Sequence, residues 1–457
     1  MPFTKCVSTL YLLLNGAYAN KNRTASSNST EVTLKRLLPR RLLSTSPEIS
    51  WDRSKCTTTT FIDRAMAVRA GPQKKVLVTG AAGFIGSHVA EFTVDVLGWK
   101  TIAVDDLSGG FQQNIPKNAT FVEVDLKRPA AVAALFKQHG PFDYVYHLAA
   151  YAAEGLSHFI RRFNYRNNLE ASVSLINQCV LNKVKTVVFT SSIASYGAPE
   201  IRPFIEETPQ QPEDPYGISK LAVEFDLKAA HKMFGLEFVV FWPHNVYGPR
   251  QSIADKFRNA IAIFMNQIMH NEPITIFGNG EQQSSFTYID DVAPFIAMSP
   301  EVPEAKQQGF FVGSDKYYTI NEVAKQTAKA MSSQFRVNHL EARKEVVDAW
   351  ASHDKLRCFF NPPPPVTLDV GLARTAEYAK SIGSFEPTGF TDIEVWEHMP
   401  ASWVTALKKW EENAPPKTEH MRHSTHGLRG HRMHNIPGSL IGGHSEQVTA
   451  IQKEQSY

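Results

Sequence analysis

The stretch KVLVTGAAGFIG at 75–86 constrains this chain more than any other. Val76, Leu77 and Val78 read as a buried strand, and Gly80, Gly83 and Gly86 follow three residues apart just before a helical pattern begins. A glycine at such a strand-to-helix junction lets the chain turn tightly. A second lets a pyrophosphate approach the backbone, and a third lets helix and strand pack closely. The helix beginning at Phe84 and Ile85 adds first-turn N–H donors. The implied ligand is a dinucleotide.

The pattern around this motif alternates strand and helix. KKVLVTG, KTIAVDDL, ATFVEVDL, FDYVYHLAA, VKTVVFTSS and LEFVVFWPH are short runs rich in Val, Ile and Phe, separated by loops or by amphipathic stretches such as AAVAALFKQHG and YGISKLAVEFDLKAAHKMFG. Near-continuous apolar strands are buried on both faces, which implies a parallel sheet with helical crossovers. The expected class is α/β, a doubly wound parallel sheet of the Rossmann type over 71–245. After Asn245 helices (FRNAIAIFMNQIMH, TINEVAKQTAKAM) mix with short strands (PITIFG, GFFVG), as expected of a smaller, partly interleaved α/β substrate domain over 246–412.

Which dinucleotide binds is decided further on. Asp105 ends the second strand about 20 residues after the glycines, where an acid accepts hydrogen bonds from the adenosine ribose. No Arg or Lys follows in DDLSGGFQQ to meet a 2′-phosphate, which favours NAD over NADP. Asp125, with Leu126 after it, either reaches the adenine or is a solvated acid at a strand end. Leu148, Ala149 and Ala150 follow the fourth strand along the same edge.

The segment DPYGISK places Tyr216 and Lys220 four residues apart on one helix face. A tyrosine with a pKa of about 10 is a poor base, and a neighbouring ammonium lowers that value. Tyr216 is then a usable proton acceptor. FTSSIASYG, upstream, ends a strand with hydroxyls at Ser191 and Ser192.

From about 73 to 411 the chain resembles the extended short-chain dehydrogenase/reductase family and, within it, the NAD-dependent nucleotide-sugar epimerases. The resemblance rests on TGAAGFIG, HLAA, RNNLEAS, FTSSIASYG, DPYGISK, NVYGPRQ and SFTYIDDVA. It implies that Ser192 orients or relays the proton, that Tyr216 is the base and that Lys220 is its electrostatic partner. It also implies that Asn168 is a structural and active-site asparagine, and that Asn245 and Arg250 contact a sugar nucleotide. The implied reaction oxidises a UDP-sugar at C4 with a tightly held NAD, turns the ketose in the pocket and reduces its other face. UDP-glucose and UDP-galactose, or their N-acetylated counterparts, are the expected pairs. Dehydratases and decarboxylases of this scaffold carry acids just after the catalytic Ser or Thr. Ile193 and Ala194 stand there and cannot move a proton. A dehydrogenase or reductase uses the same residues, and a non-catalytic nucleotide-sugar binder is a further alternative.

Three departures bear on the substrate. The family's G-x-Q-x-R reads GEQQS, so Ser284 stands where an Arg clamps the diphosphate. Trp242 replaces an Arg common ahead of NVYG, and Arg343 matches the second phosphate-binding Arg. In DAWASHDK, Ala349 takes the place of a tyrosine that closes the pocket in glucose-specific members, leaving room for an N-acetyl group.

The ends of the chain read differently. Residues 1 to about 70 are expected to lie outside the fold, as a secretory signal, an organelle transit peptide or an untargeted extension, with Met66 as an alternative start. The tail from 413, with His420, His423, His426, His431 and His434, reads as disordered. Of four cysteines only Cys179 and Cys358 fall in the expected fold, which predicts neither disulfides nor a metal site. A net charge of +3, much of it from the N-terminal extension, argues against nucleic-acid binding. No run approaches the ~18 apolar residues that cross a bilayer. The cytoplasm is the expected compartment, with import or secretion through the extension left open. The resemblance implies a homodimer.

Overall fold

A computed structural model describes residues 51–199, 201–255, 259–342, 350–385, 390 and 393–413. Six strands run from β1 (Lys75–Thr79) through β2 (Lys100–Asp105), β3 (Thr120–Glu123), β4 (Tyr144–His147) and β5 (Thr186–Thr190) to β6 (Glu237–Pro243). With a seventh, Gln308–Val312, they form one sheet in the order Gln308–Val312, β6, β5, β4, β1, β2, β3, every pairing parallel. β5 is buried throughout and β1 beyond its first residue, as strands covered by helices on both faces must be. Strand order reverses between β1 and β4. This is where a doubly wound sheet opens a crevice at its carboxyl edge.

The seventh strand corrects one expectation. GFFVG pairs with β6, Phe310 opposite Phe241, and so extends the main sheet rather than the smaller domain. Its Phe310 and Phe311 are fully buried, which a central layer provides and a small domain edge does not. The smaller domain is built from three two-stranded pairs and the helices Ala260–Met269, Ile320–Ala330 and Leu368–Ile382.

A second correction concerns residues 51–70. Phe61–Ala70 is a helix capped by the Thr60 hydroxyl, and Phe61 is buried edge-on against Phe295 at 4.9 Å. Burying one such side chain stabilises by about 2 kcal/mol, enough to hold a short segment down. The helix is weakly amphipathic in sequence, which is why hydrophobic periodicity missed it. Cys56 is joined by a disulfide to Cys358 across 302 positions, contrary to the expectation of none. Spacing alone cannot show a pairing that distant. Cys179 is free and buried. Residues 1–50 and 414–457, with their targeting and histidine readings, lie outside the described residues. Among the described residues no helix is long and apolar enough to cross a membrane, and no cluster of His, Cys, Asp or Glu could hold a metal.

Candidate active site

A cleft of about 1470 Å³ follows the carboxyl edge of the sheet. At one end lies the glycine turn. Gly80 has φ +69°, and a Cβ there would sit 2.8 Å from the Ala149 nitrogen. A Cβ on Gly86 would overlap the Gly80 carbonyl oxygen. These two glycines are required by the protein's own packing. Gly83 has an ordinary φ of −78°, and a Cβ there would meet only the Gly80 carbonyl, at 3.1 Å for its oxygen. It caps the helix Phe84–Glu91 and has no side chain to do so, so the first-turn amides have neither an intrahelical acceptor nor a capping oxygen. A phosphate fits that need.

Asp105 closes the turn from β2. Its carboxylate accepts from the Ala82 amide at 3.0 Å and the Leu107 amide at 2.9 Å. Burial nevertheless pushes its pKa up to about 6, with Asp106 adding to the rise and the two amides opposing it. Asp125 lies two residues past the end of β3 and lines the cleft beside Leu126, its carboxylate 2.9 Å from the Lys127 ammonium. Leu148, Ala149 and Ala150 line the cleft beside Gly80.

Ser192, Tyr216 and Lys220 are all buried and all line the cleft. Tyr216 occupies the first turn of Pro215–Phe234, a 20-residue helix capped by Asp214 with Pro215 at its start. Ser157 fixes that end, accepting from the Tyr216 amide at 3.3 Å and donating to Asp214 at 3.3 Å. Lys220, one turn on, donates to the Thr190 carbonyl at 2.8 Å, and its ammonium lies 5.7 Å from the Tyr216 ring centre. Burial draws Lys220 down to about 7, with Glu224 opposing. Ser192 ends the β5 segment and caps a short 3₁₀ turn, accepting from the Ala194 amide at 3.2 Å. The supports Thr190, Ser157 and Asp214 were not singled out from sequence, although Asp-Pro ahead of a helical run is a start signal that pointed to the last.

Toward the smaller domain the cleft is lined by Asn245, Arg250 and Ser284. Asn245 and Arg250 both have positive φ, +42° and +68°. Arg250 is held by Glu91, which it meets at 2.7 Å.

A family model described as the NAD dependent epimerase/dehydratase family matches residues 76–313, just over half of the chain. The chain belongs to this family. A UDP-glucose 4-epimerase of Mycolicibacterium smegmatis is 30% identical over 318 residues, covering 67% of this chain and 99% of that protein. Among solved structures, a UDP-glucose 4-epimerase of Thermus thermophilus in complex with NAD is 30% identical, with a TM-score of 0.62 over 66% of this chain and 98% of that one. A UDP-N-acetylglucosamine 4-epimerase of Methanobrevibacter ruminantium, in complex with UDP-N-acetylmuramic acid, is 30% identical, with a TM-score of 0.64 over 68% and 100%. The present chain is an NAD-dependent isomerase of the epimerase/dehydratase family. The glycine cradle, the uncapped helix and Asp105 suit NAD.

Within this epimerase fold, the surroundings of Asn168 and of Trp242 are set by the protein's own packing. Asn168 does not line the cleft. Its side chain accepts from the Tyr151 amide at 2.8 Å and donates to the Tyr151 carbonyl at 3.0 Å, so it secures the loop after β4. Trp242 also points away from the cleft, into the layer beneath. Its indole donates to Glu224 at 2.7 Å, and its ring occupies space that only a glycine at 309 leaves open. Ser191 and Gln210 complete the same carboxylate. Trp242 is therefore part of the core and does not itself line the cleft. Ser284 does line the cleft, in the short pairing of Gln283–Ser285 with Tyr317–Thr319. Arg343 and Ala349 lie outside the described residues.

Proposed function

We propose that this chain is a UDP-sugar 4-epimerase, with UDP-glucose and UDP-galactose as one substrate pair and their N-acetylated forms as a second to be tested beside it. The observation that carries the reading is that Ser192, Tyr216 and Lys220 line the same cleft as the glycine turn, with the Lys220 ammonium 5.7 Å from the Tyr216 ring, and with Ile193 and Ala194 where an acid would serve elimination. Tyr216 takes the proton of the sugar 4-hydroxyl. Ser192 bonds the same oxygen and relays that proton. Lys220, anchored on Thr190, holds positive charge beside the phenol and favours its ionised form. Bound NAD would supply the acceptor and then the donor of the C4 hydride, so that net redox change is zero. The wide cleft leaves the ketose room to turn. Incubating purified protein, without added NAD, with a panel of UDP-, GDP- and dTDP-sugars tests this. Epimer formation from UDP-sugars supports it, and turnover that demands added NAD or accumulates NADH supports a dehydrogenase instead.

We infer a homodimer built on Pro215–Phe234. That helix leaves Ile218, Phe225, Met233 and Phe234 exposed, 41% to 75%. Such a face on one long helix suits a second copy. Light scattering at the monomer mass would reject it. The Cys56–Cys358 disulfide favours an oxidising compartment over the cytoplasm among those the N-terminal extension leaves open. Thiol labelling of freshly extracted protein distinguishes the two.

A further inference from the structure

The matched family model begins at residue 76, and the segment ahead of it meets one short helix, Asp354–Phe360. The Thr57 amide donates to the Cys358 carbonyl at 2.9 Å, and the Phe61 amide to the Asn361 carbonyl at 3.2 Å. The Arg64 guanidinium donates to the Phe359 carbonyl at 3.3 Å. In return the Asn361 side chain donates to the Thr58 and Thr59 carbonyls at 3.3 Å and 3.4 Å. Carbonyls at a helix end have no intrahelical partner. Residues 57–64 therefore cap this helix from the far end of the chain, and the Cys56–Cys358 disulfide ties the two together. Cys56 is exposed and Cys358 is buried.

The other end of the same helix reaches the cleft. Arg357 pairs with Asp315 and Asp354, and His353, at the helix start, meets Asp315 through Nδ1 at 2.7 Å. The buried His353 ring stacks on His244, with ring centres 5.3 Å apart and planes 24° from parallel. His244 lines the cleft next to Asn245. The Trp242 backbone lies close to the His244 ring, but neither ring nitrogen makes a hydrogen bond of normal geometry, so the stack on His353 is what orients it. A helix of 7 residues is not stable alone, and what caps one end bears on the other.

We propose that Cys56–Cys358 is a redox modification site that sets the affinity of the substrate half of the cleft, with a dithiol as its reducing partner. A thiolate of the dithiol attacks the sulfur of Cys56, and Cys358 leaves and takes up a proton. The second thiolate of the dithiol then displaces Cys56 from the mixed disulfide. Two cysteine thiols form, and the dithiol closes to its own disulfide. The cap then keeps only its noncovalent contacts, the helix Asp354–Phe360 loosens, and His353 no longer fixes the floor beside Asn245. Tyr216 and Lys220 stand on another helix, outside this path, so the chemical step is spared. The inference rests on the UDP-sugar reading above for its ligand.

The test is steady-state kinetics of the full-length, NAD-loaded protein on the UDP-sugar that the panel above identifies, before and after dithiothreitol, with free thiols counted to confirm that two more appear. KM should rise about tenfold on reduction, an ordinary size for coupling between two linked sites. kcat should stay within about a factor of two, and reoxidation with oxidised glutathione should restore KM. Cys56→Ser should hold the raised KM with or without reductant. His353→Ala should show a raised KM that no longer follows the redox state, while Cys179→Ala should respond as the wild type does. Equal KM in the oxidised and reduced wild type, or a change confined to kcat, overturns the inference while the UDP-sugar reading stands. So does loss of the fold, by circular dichroism, in step with activity in both the reduced protein and Cys56→Ser, since the disulfide is then structural only. An oxidised protein that neither binds UDP nor turns over any UDP-sugar overturns both.

Discussion

The cofactor half of the cleft and its substrate half are built by opposite means. In the first, Gly80, Gly86 and Asp105 come from two adjacent parallel strands and the turns that end them, and backbone clearances leave almost no choice of residue. In the second, the cleft-lining residues Asn245, Arg250 and Ser284 come from loops and a three-residue strand far along the chain. A scaffold dictates residues where backbone meets backbone. Where side chains alone face the ligand, the residue is freer to change, as at Ser284. Ser192, Tyr216 and Lys220 sit at the seam between the two halves.

Breaking the seam should have the largest effect. Tyr216→Phe removes the phenol but none of the NAD cradle, so turnover should fall about two to four orders of magnitude while the purified protein keeps its NAD. Retention of a tenth of wild-type activity would show that the base lies elsewhere. In the cofactor half, Gly86→Ala sets a methyl group into the Gly80 carbonyl. Overpacking of this kind costs about 1–3 kcal/mol, and here it also displaces the turn. The variant should melt earlier and purify without NAD, and a fully loaded protein would mean that the turn yields more than the geometry suggests.

Trp242→Phe sharpens the comparison from the other side. It removes a hydrogen bond to the buried Glu224 and should lower stability by about 2 kcal/mol in denaturant titration. UDP affinity should not move, since Trp242 lies beneath the cleft. A change in affinity would return that residue to the substrate half. The smallest effect expected is one of pH. The Asp105 carboxyl has an ordinary value of 3.8 and stands at about 6 in the fold. Because the folded value is raised, its contribution to stability is present below the unfolded value and is lost as pH rises through about 6. A ribose hydroxyl donates to the ionised form, so NAD binding to stripped protein should tighten as pH rises through the same window. The trend should vanish in Asp105→Asn, and its persistence there would assign it to another group.

What could be read in the sequence follows the same division. The strands, the glycine turn, Asp105 and the Tyr216/Lys220 spacing were legible because each obeys a local period or a fixed offset along the chain. The wall formed by Ala401–Asn413 was not, because nothing local tells a docked helix from a free one when its partner loop, around Gly155, is more than two hundred residues earlier. The disulfide between Cys56 and Cys358 was hidden for the same reason. Trp242 misled because its side chain faces the core, and only the register of β6 against Gln308–Val312 reveals that side. Asn168 was expected as a structural and active-site asparagine, and its side chain is taken up by Tyr151 and Asn164, the structural part of that reading.

The central claim is that the C4 hydrogen leaves the sugar and returns to the same carbon while Tyr216 handles the hydroxyl proton. It is tested most directly by turnover of UDP-glucose deuterated at C4, with no NAD added, followed by mass spectrometry and proton NMR of the UDP-galactose formed. The account predicts product with deuterium retained at C4, no hydrogen drawn from solvent into the ring, and loss of the reaction in Tyr216→Phe. Deuterium lost to solvent, or solvent hydrogen appearing at C3 or C5, would contradict it.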